Sequence, residues 1–162
     1  MTLQVFTDGA AISNSRTSKK SRAAFATVWP DYSEYNHCQS LSPLEVHTNN
    51  RAEFHAVLHA LKQANDIDAS KQVPLIIFTD SMLVINSITL WSDKWENNNW
   101  KKKNGKPVMN VDLIKPILNY TSNRSSVTFV HVKAHQRVKA GETPSYEVKY
   151  NDIADRMARS AC

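Results

Sequence analysis

The stretch Val73-Pro74-Leu75-Ile76-Ile77-Phe78-Thr79, closed by Asp80-Ser81, decides the fold. It is a continuous apolar run rich in branched residues, and Lys71-Gln72 bounds it upstream. An apolar run without polar alternation is what a strand buried on both faces requires. It predicts an α/β chain built on a mixed sheet, with Asp80 standing at the strand's exit.

Working outward, Phe54, Val57, Leu58 and Leu61 recur at helical spacing. They predict an amphipathic helix that opens near Asn50, fades by Asn65 and carries Glu53 on its first turn. Before it, Leu3, Val5 and Thr7 alternate with Gln4 and Phe6 and stop at Asp8-Gly9, a first strand ending at a carboxylate. The polar, basic stretch Ser13 to Arg22 reads as a loop into a second strand within Ala23 to Trp29, and a third is expected within Tyr35 to Val46. Downstream, Ser81 suits the cap of a helix carrying Val84, Ile85 and Ile88. A helix from Asn110 is expected to be kinked or shortened by Pro116. Val127 to Val132 reads as the last strand, and Asn151 to Ala161 as a closing helix with Ile153 and Met157 inward. The expected architecture is a five-stranded mixed sheet flanked by helices.

The chain of 162 residues shows no internal repeat or low-complexity linker and is expected to form one domain. With 41% hydrophobic and 22% charged residues, the composition excludes a disordered or collagenous chain. No apolar run reaches the length of a membrane span, and Met1 to Asp8 lacks a signal-peptide core. Cys38 and Cys162 lie far apart and belong to no Cys/His cluster, so a reducing, intracellular and cytoplasmic setting is expected. Twenty Lys and Arg against fifteen Asp and Glu give +5, a surplus that attracts polyanions.

Asp8 and Asp80 each follow a strand, where ligands gather in α/β sheets. Glu53 and an acid of the closing helix, Asp152 or Asp155, complete an acidic cluster if both helices pack beside those strands. Helical spacing alone leaves Asp152 and Asp155 as alternatives. Several buried like charges cannot stay ionised unpaired, and hard divalent cations resolve the conflict. A pair of such ions suits the hydrolysis of a phosphodiester. Each acid also has a plain structural reading: Asp8-Gly9 as a turn, Glu53 as partner of Asn50 in a capping box, and Asp80-Ser81 as a helix cap. His55 and His59, four apart on one helix, have no third ligand nearby and read as helix-surface residues rather than a zinc site.

The strings Thr7-Asp8-Gly9-Ala10, Thr48-Asn49-Asn50-Arg51-Ala52-Glu53, Thr79-Asp80-Ser81, Val132-Lys133-Ala134-His135 and Asn151-Asp152-Ile153-Ala154-Asp155 resemble, in order and spacing, the signatures of type 1 ribonucleases H. The resemblance covers nearly the whole chain. It implies the ribonuclease H-like fold and an endonuclease that cuts the RNA strand of RNA/DNA hybrids, leaving 5′-phosphate and 3′-hydroxyl ends. The family's last signature ends on its ligand acid, which favours Asp155 over Asp152. By the same resemblance Asp8, Glu53, Asp80 and Asp155 hold two Mg²⁺ ions, with Mn²⁺ as a substitute, and His135 assists proton transfer or product departure.

Cutting only RNA requires sensing the 2′-hydroxyl, a task suited to amides. Thr48, Asn49 and Asn50 match family positions that contact the hybrid, and Asn14 falls where the family places another such asparagine. The family's glycine-rich stretch after the first Asp-Gly is replaced here by the glycine-free Ser13 to Arg22. Trp91, Trp95 and Trp100 alternate with Lys94, Lys101, Lys102, Lys103 and Lys106. This segment, at about 91–107, resembles the family's substrate-binding handle, in which indoles pack on sugars and lysines neutralise phosphates. With Asp8 so near the start, the chain is expected to lack the N-terminal hybrid-binding domain of some relatives and to act as a monomer without an obligate protein partner. The rival readings are a DNA nuclease of the same broad fold and a catalytically silent hybrid-binding module.

Overall fold

The computed structural model describes residues 1–14, 19–134 and 138–162. Its five strands are β1 (Leu3–Asn14), β2 (Lys19–Val28), β3 (His37–Ser40), β4 (Leu75–Thr79) and β5 (Val127–His131), in the sheet order β3-β2-β1-β4-β5. β1 pairs antiparallel with β2 and parallel with β4; β3 pairs antiparallel with β2, and β5 parallel with β4. The expected mixed sheet is therefore present. The helices are α1 (Asn49–Ile67), α2 (Met82–Asn86), α3 (Ser92–Asn97), α4 (Val111–Ser122) and α5 (Tyr146–Ser160). None among the described residues is long and apolar enough to cross a membrane.

Alternation along the central strands assigns the two faces of the sheet. Leu3, Val5, Leu75 and Ile77 pack with Phe54, Val57 and Leu61 of α1 and Ile114 and Ile117 of α4. One residue out of step, Phe6 and Phe78 stack at 4.4 Å between ring centroids and pack under Ala154 of α5. Buried Gln63 is satisfied: its carbonyl accepts from Thr27 and from the Trp29 indole, both at 2.8 Å, while its amide donates to the Tyr35 carbonyl at 2.6 Å. Buried amides cost stability when left unpaired, and this one specifies how α1 sits on β2.

Four expectations need correction. The first strand does not stop at Asp8-Gly9. It continues against β2, with Asp8 opposite Ala26 and Gly9 opposite Phe25, although its ladder with β4 ends at Phe6. Asp8 thus stands where β1 leaves β4, and Gly9 is a strand residue rather than a turn. The expected loop Ser13 to Arg22 shrinks from both sides, since β1 reaches Asn14 and β2 begins at Lys19. Of the kinking or shortening expected at Pro116, the shortening is not seen, since α4 runs on to Ser122. The hydrogen bond Pro116 forgoes would go to the carbonyl of exposed Asp112, where water can substitute, while buried Leu113, Ile114 and Ile117 hold the helix down. The closing helix begins at Tyr146 rather than Asn151, because the Ser145 hydroxyl accepts from the Val148 amide at 3.3 Å.

Between α2 and α3 the chain makes a π-helical turn, Ser87–Trp91. The hydroxyls of Ser87, Thr89 and Ser92 donate to the carbonyls four residues back, at 2.6, 2.6 and 3.1 Å. They supply partners where the backbone ladder changes register, just before the tryptophan- and lysine-rich segment.

Candidate active site

Asp8, Glu53 and Asp80 each offer a carboxylate oxygen within 4.8 Å of the others. Three elements bring them together. Asp8 leaves the ladder with β4, Asp80 follows the last residue of β4, and Glu53 rides α1, which passes close over Gly9. A Cβ at residue 9 would lie 2.5 Å from the Glu53 amide nitrogen and 2.7 Å from the Ala52 carbonyl carbon, so the glycine is required by the approach of α1. Glu53 is not part of a capping box. The cap of α1 is Thr48, whose hydroxyl accepts from the Arg51 amide at 3.1 Å, and this sets Glu53 beyond the first turn. Ser81 caps α2 as expected, accepting from the Val84 amide at 3.2 Å.

Asp8 and Glu53 are both 2% exposed. Burial, followed by the charge of Asp80, pushes the Asp8 carboxyl up to about 8. Burial, followed by the charges of Asp8 and Asp80, holds Glu53 well above the ordinary carboxylate range. One oxygen of each, Asp8 Oδ2 and Glu53 Oε2, is buried without any hydrogen-bond partner. A buried anion without a donor is costly, so this donor set fits a hard cation: three carboxylates, two with an oxygen in reserve.

Asp155 lies outside this tight trio but lines the same cavity, of about 270 Å³, with Asp8, Glu53, Asp80, Asn49, Ala134 and Arg159. Its charge adds to the upward push on Asp8, and its Oδ1 accepts from Arg159 Nε at 3.1 Å. Asp152 faces elsewhere, paired with Arg156 at 2.7 Å with its side chain half exposed. Asn49 lines the cavity, whereas Asn50 is exposed at the start of α1. Asn14 ends β1, and His135 lies outside the described residues.

The tryptophan- and lysine-rich segment divides. Trp91, Lys94, Trp95, Lys101, Lys102 and Lys103 line one cleft of about 580 Å³ together with Asn98, and the Trp91 and Trp95 rings lie 5.8 Å apart. Trp95 also packs against the core, as does Trp100, which lies outside that cleft beneath the Lys115 ammonium, 5.2 Å from its ring centroid. Lys106 is exposed, and its carbonyl accepts from the Lys102 amide at 2.8 Å.

The sequence matches the RNase H family over residues 1–162. The chain belongs to the RNase H family. Among curated proteins, this RNase H chain is 33% identical to Ribonuclease H1 of Mus musculus over 155 residues, covering 96% of the chain and 48% of the relative. It is 33% identical to Ribonuclease H of Ruthia magnifica subsp. Calyptogena magnifica over 135 residues, 83% of the chain and 81% of that protein. It thus spans about half the length of the mouse relative. Among solved structures, the PFV RNase H domain superposes with a TM-score of 0.71 at 28% identity, covering 98% of this chain and 93% of that one.

Sequence reasoning missed several residues of this RNase H site. Gly9 read as a turn, and Arg159 was not singled out, although its place four residues after Asp155 signals an ion pair. His55 and His59 are partly buried rather than freely exposed: His55 stacks on Phe25 at 5.8 Å and His59 on His37 at 4.4 Å. No local signal reveals this, because Phe25 and His37 come from strands that only the sheet brings beside α1.

Proposed function

We propose that this RNase H chain is an endoribonuclease that hydrolyses the RNA strand of RNA/DNA hybrids, with residues 1–162 as the catalytic domain and 91–107 as its handle. The observation that carries the reading is the clustering of buried Asp8 and Glu53, each with one unpartnered oxygen, with partly exposed Asp80. Relatives named Ribonuclease H1 and Ribonuclease H support it. In this reading Asp8, Glu53, Asp80 and Asp155 hold a pair of Mg²⁺ ions, for which Mn²⁺ substitutes. Bound divalent ions supply an activated water on one side of the phosphodiester and stabilise the leaving oxygen on the other.

The chain's own residues do the rest. Buried Asp8 and Glu53, when ionised, give the cavity a strong negative potential that a bound cation relieves in place of a proton, and Arg159 holds Asp155 at its wall. The Asn49 amide, beside the acids, both donates and accepts and so suits a 2′-hydroxyl; Asn14, Thr48 and Asn50 extend that contact. His135 serves proton transfer or product departure. Trp91 and Trp95 offer ring faces to the sugars of the duplex, Lys94, Lys101, Lys102, Lys103 and Lys106 neutralise its phosphates, and Trp100 with Lys115 anchors the handle's base. The domain works as a monomer in an intracellular, reducing setting, in keeping with its two free cysteines, Cys38 and Cys162.

End-labelled RNA/DNA hybrid, single strands and both homoduplexes, each with Mg²⁺ or chelator, test the reading. Internal cuts in the RNA of the hybrid alone are expected. Exonucleolytic trimming of DNA would assign another nuclease chemistry to the same fold, and retention without cutting a silent binding module.

A further inference from the structure

We propose that Arg51 is a positioning residue that fixes the start of α1 against the base of the handle, so that two separate contact surfaces meet a duplex as one. The inference rests on the hybrid reading above.

Arg51 follows Asn49-Asn50 directly, and its guanidinium reaches two other segments of the chain. Nε donates to Glu45 Oε1 at 2.8 Å, in the loop before α1. Nη1 donates to Asn110 Oδ1 at 3.3 Å and Asp112 Oδ1 at 3.0 Å, and Nη2 to Asp112 Oδ2 at 2.5 Å. The Arg51 side chain is only 15% exposed. Asn110 and Asp112 mark the point where the handle rejoins the body, for two residues earlier the Val108 amide donates to the Trp100 carbonyl at 2.9 Å. Asn110 adopts a left-handed conformation, φ 62°, at the start of α4, and its side chain does not cap that helix. It is spent on Arg51 instead. The guanidinium holds the Asp112 carboxyl below the usual carboxylate range.

A planar fork with fixed donor directions ties three segments at set angles, which a flexible ammonium cannot do. Phosphates along a duplex have fixed spacing. Two surfaces therefore bind it jointly only if their separation is held in advance, and otherwise each pays its own ordering cost.

The test is a cycle of hybrid-cleavage kinetics on the full chain: wild type, Arg51→Lys, the triple change of Lys101, Lys102 and Lys103 to Ala, and their combination. Unfolding midpoints are measured alongside. Arg51→Lys is expected to raise KM with a smaller change in kcat, and the combined loss to fall about threefold or more short of the product of the separate losses. Asp112→Asn, at an exposed residue, repeats the cycle with the fold undisturbed. A multiplicative cycle in both backgrounds, whatever the midpoints, overturns the inference and leaves the hybrid reading standing. A wild-type chain that neither binds nor cuts hybrid overturns both.

Discussion

Gly9 of β1 and Glu53 of α1 lie so close that there is no room for a methyl group between strand and helix: a Cβ on residue 9 would sit 2.5 Å from the Glu53 amide nitrogen. The obstacle is backbone, which cannot rotate away as a side chain does. Gly9→Ala is expected to cost about 1–3 kcal/mol of stability. It should also cost more activity than that loss explains, because the displaced atoms carry one of the three clustered acids. Urea unfolding and hybrid cleavage at a temperature where the variant stays folded check this. Unchanged stability would mean that α1 moves freely over β1.

Asp8 ties stability to pH and metal. Its folded value of about 8 lies above the ordinary 3.8, so its contribution is fully present below about pH 4 and is lost as pH rises through 8. Glu53 shifts in the same direction. Metal-free protein should therefore lose stability between pH 5 and 8, and Mg²⁺ should restore more at pH 8 than at pH 5. Asp8→Asn should flatten both trends, raise metal-free stability by about 1–2 kcal/mol and abolish cleavage. Thermal unfolding in chelator and in Mg²⁺ decides; equal responses of both proteins to Mg²⁺ would remove Asp8 from the ion site.

His59 acts in the opposite sense. Burial, with His37 and Lys62 nearby, lowers it from 6.5 to about 4. A base whose folded value is depressed gives stability that is complete above pH 6.5 and is lost as pH falls toward 4. His59→Phe keeps a ring against Phe25 and His37 and should reduce the acid-side loss. Midpoints for both proteins from pH 7 to 4 test it, and parallel curves would refute it.

The cleft lysines predict a salt effect. Changing Lys101, Lys102 and Lys103 to Ala should weaken hybrid binding and flatten its dependence on log salt by about 2–3 units if each neutralises one phosphate. Binding titrations from low to moderate salt measure the slope. An unaltered slope would discard the handle proposal.

Much of this was legible in the sequence, for reasons that differ by element. The unbroken run ending at Thr79 announced a central strand, and Phe54, Val57 and Leu61 announced α1, because burial on one or two faces writes a period into the chain. The second half of β1 was not legible, since Gly9-Ala10-Ala11 has neither branched residues nor alternation. The reason for Gly9 lies on α1, more than forty residues away, and that for Ala10 on α5, against Ala158. The start of α5 was hidden by polar Tyr146 to Asn151, although Ser145 marks the cap. All four acids could be named from the motifs they share with the family, Asp155 among them. Helical spacing alone left Asp152 and Asp155 open, the family signature favoured Asp155, and the packing of α5 sets Asp155 at the cavity wall while Asp152 pairs with Arg156.

That packing rests on two alanines. Ala154 lies fully buried with Phe6 and Phe78, and Ala158 with Ala10 and Ala26, so single methyl groups set the gap between helix and sheet. They act as shims. The reach of Asp155 toward the other acids is a tolerance machined into the backbone, and a bulkier residue at either alanine would open the jaw of the site without touching any group inside it.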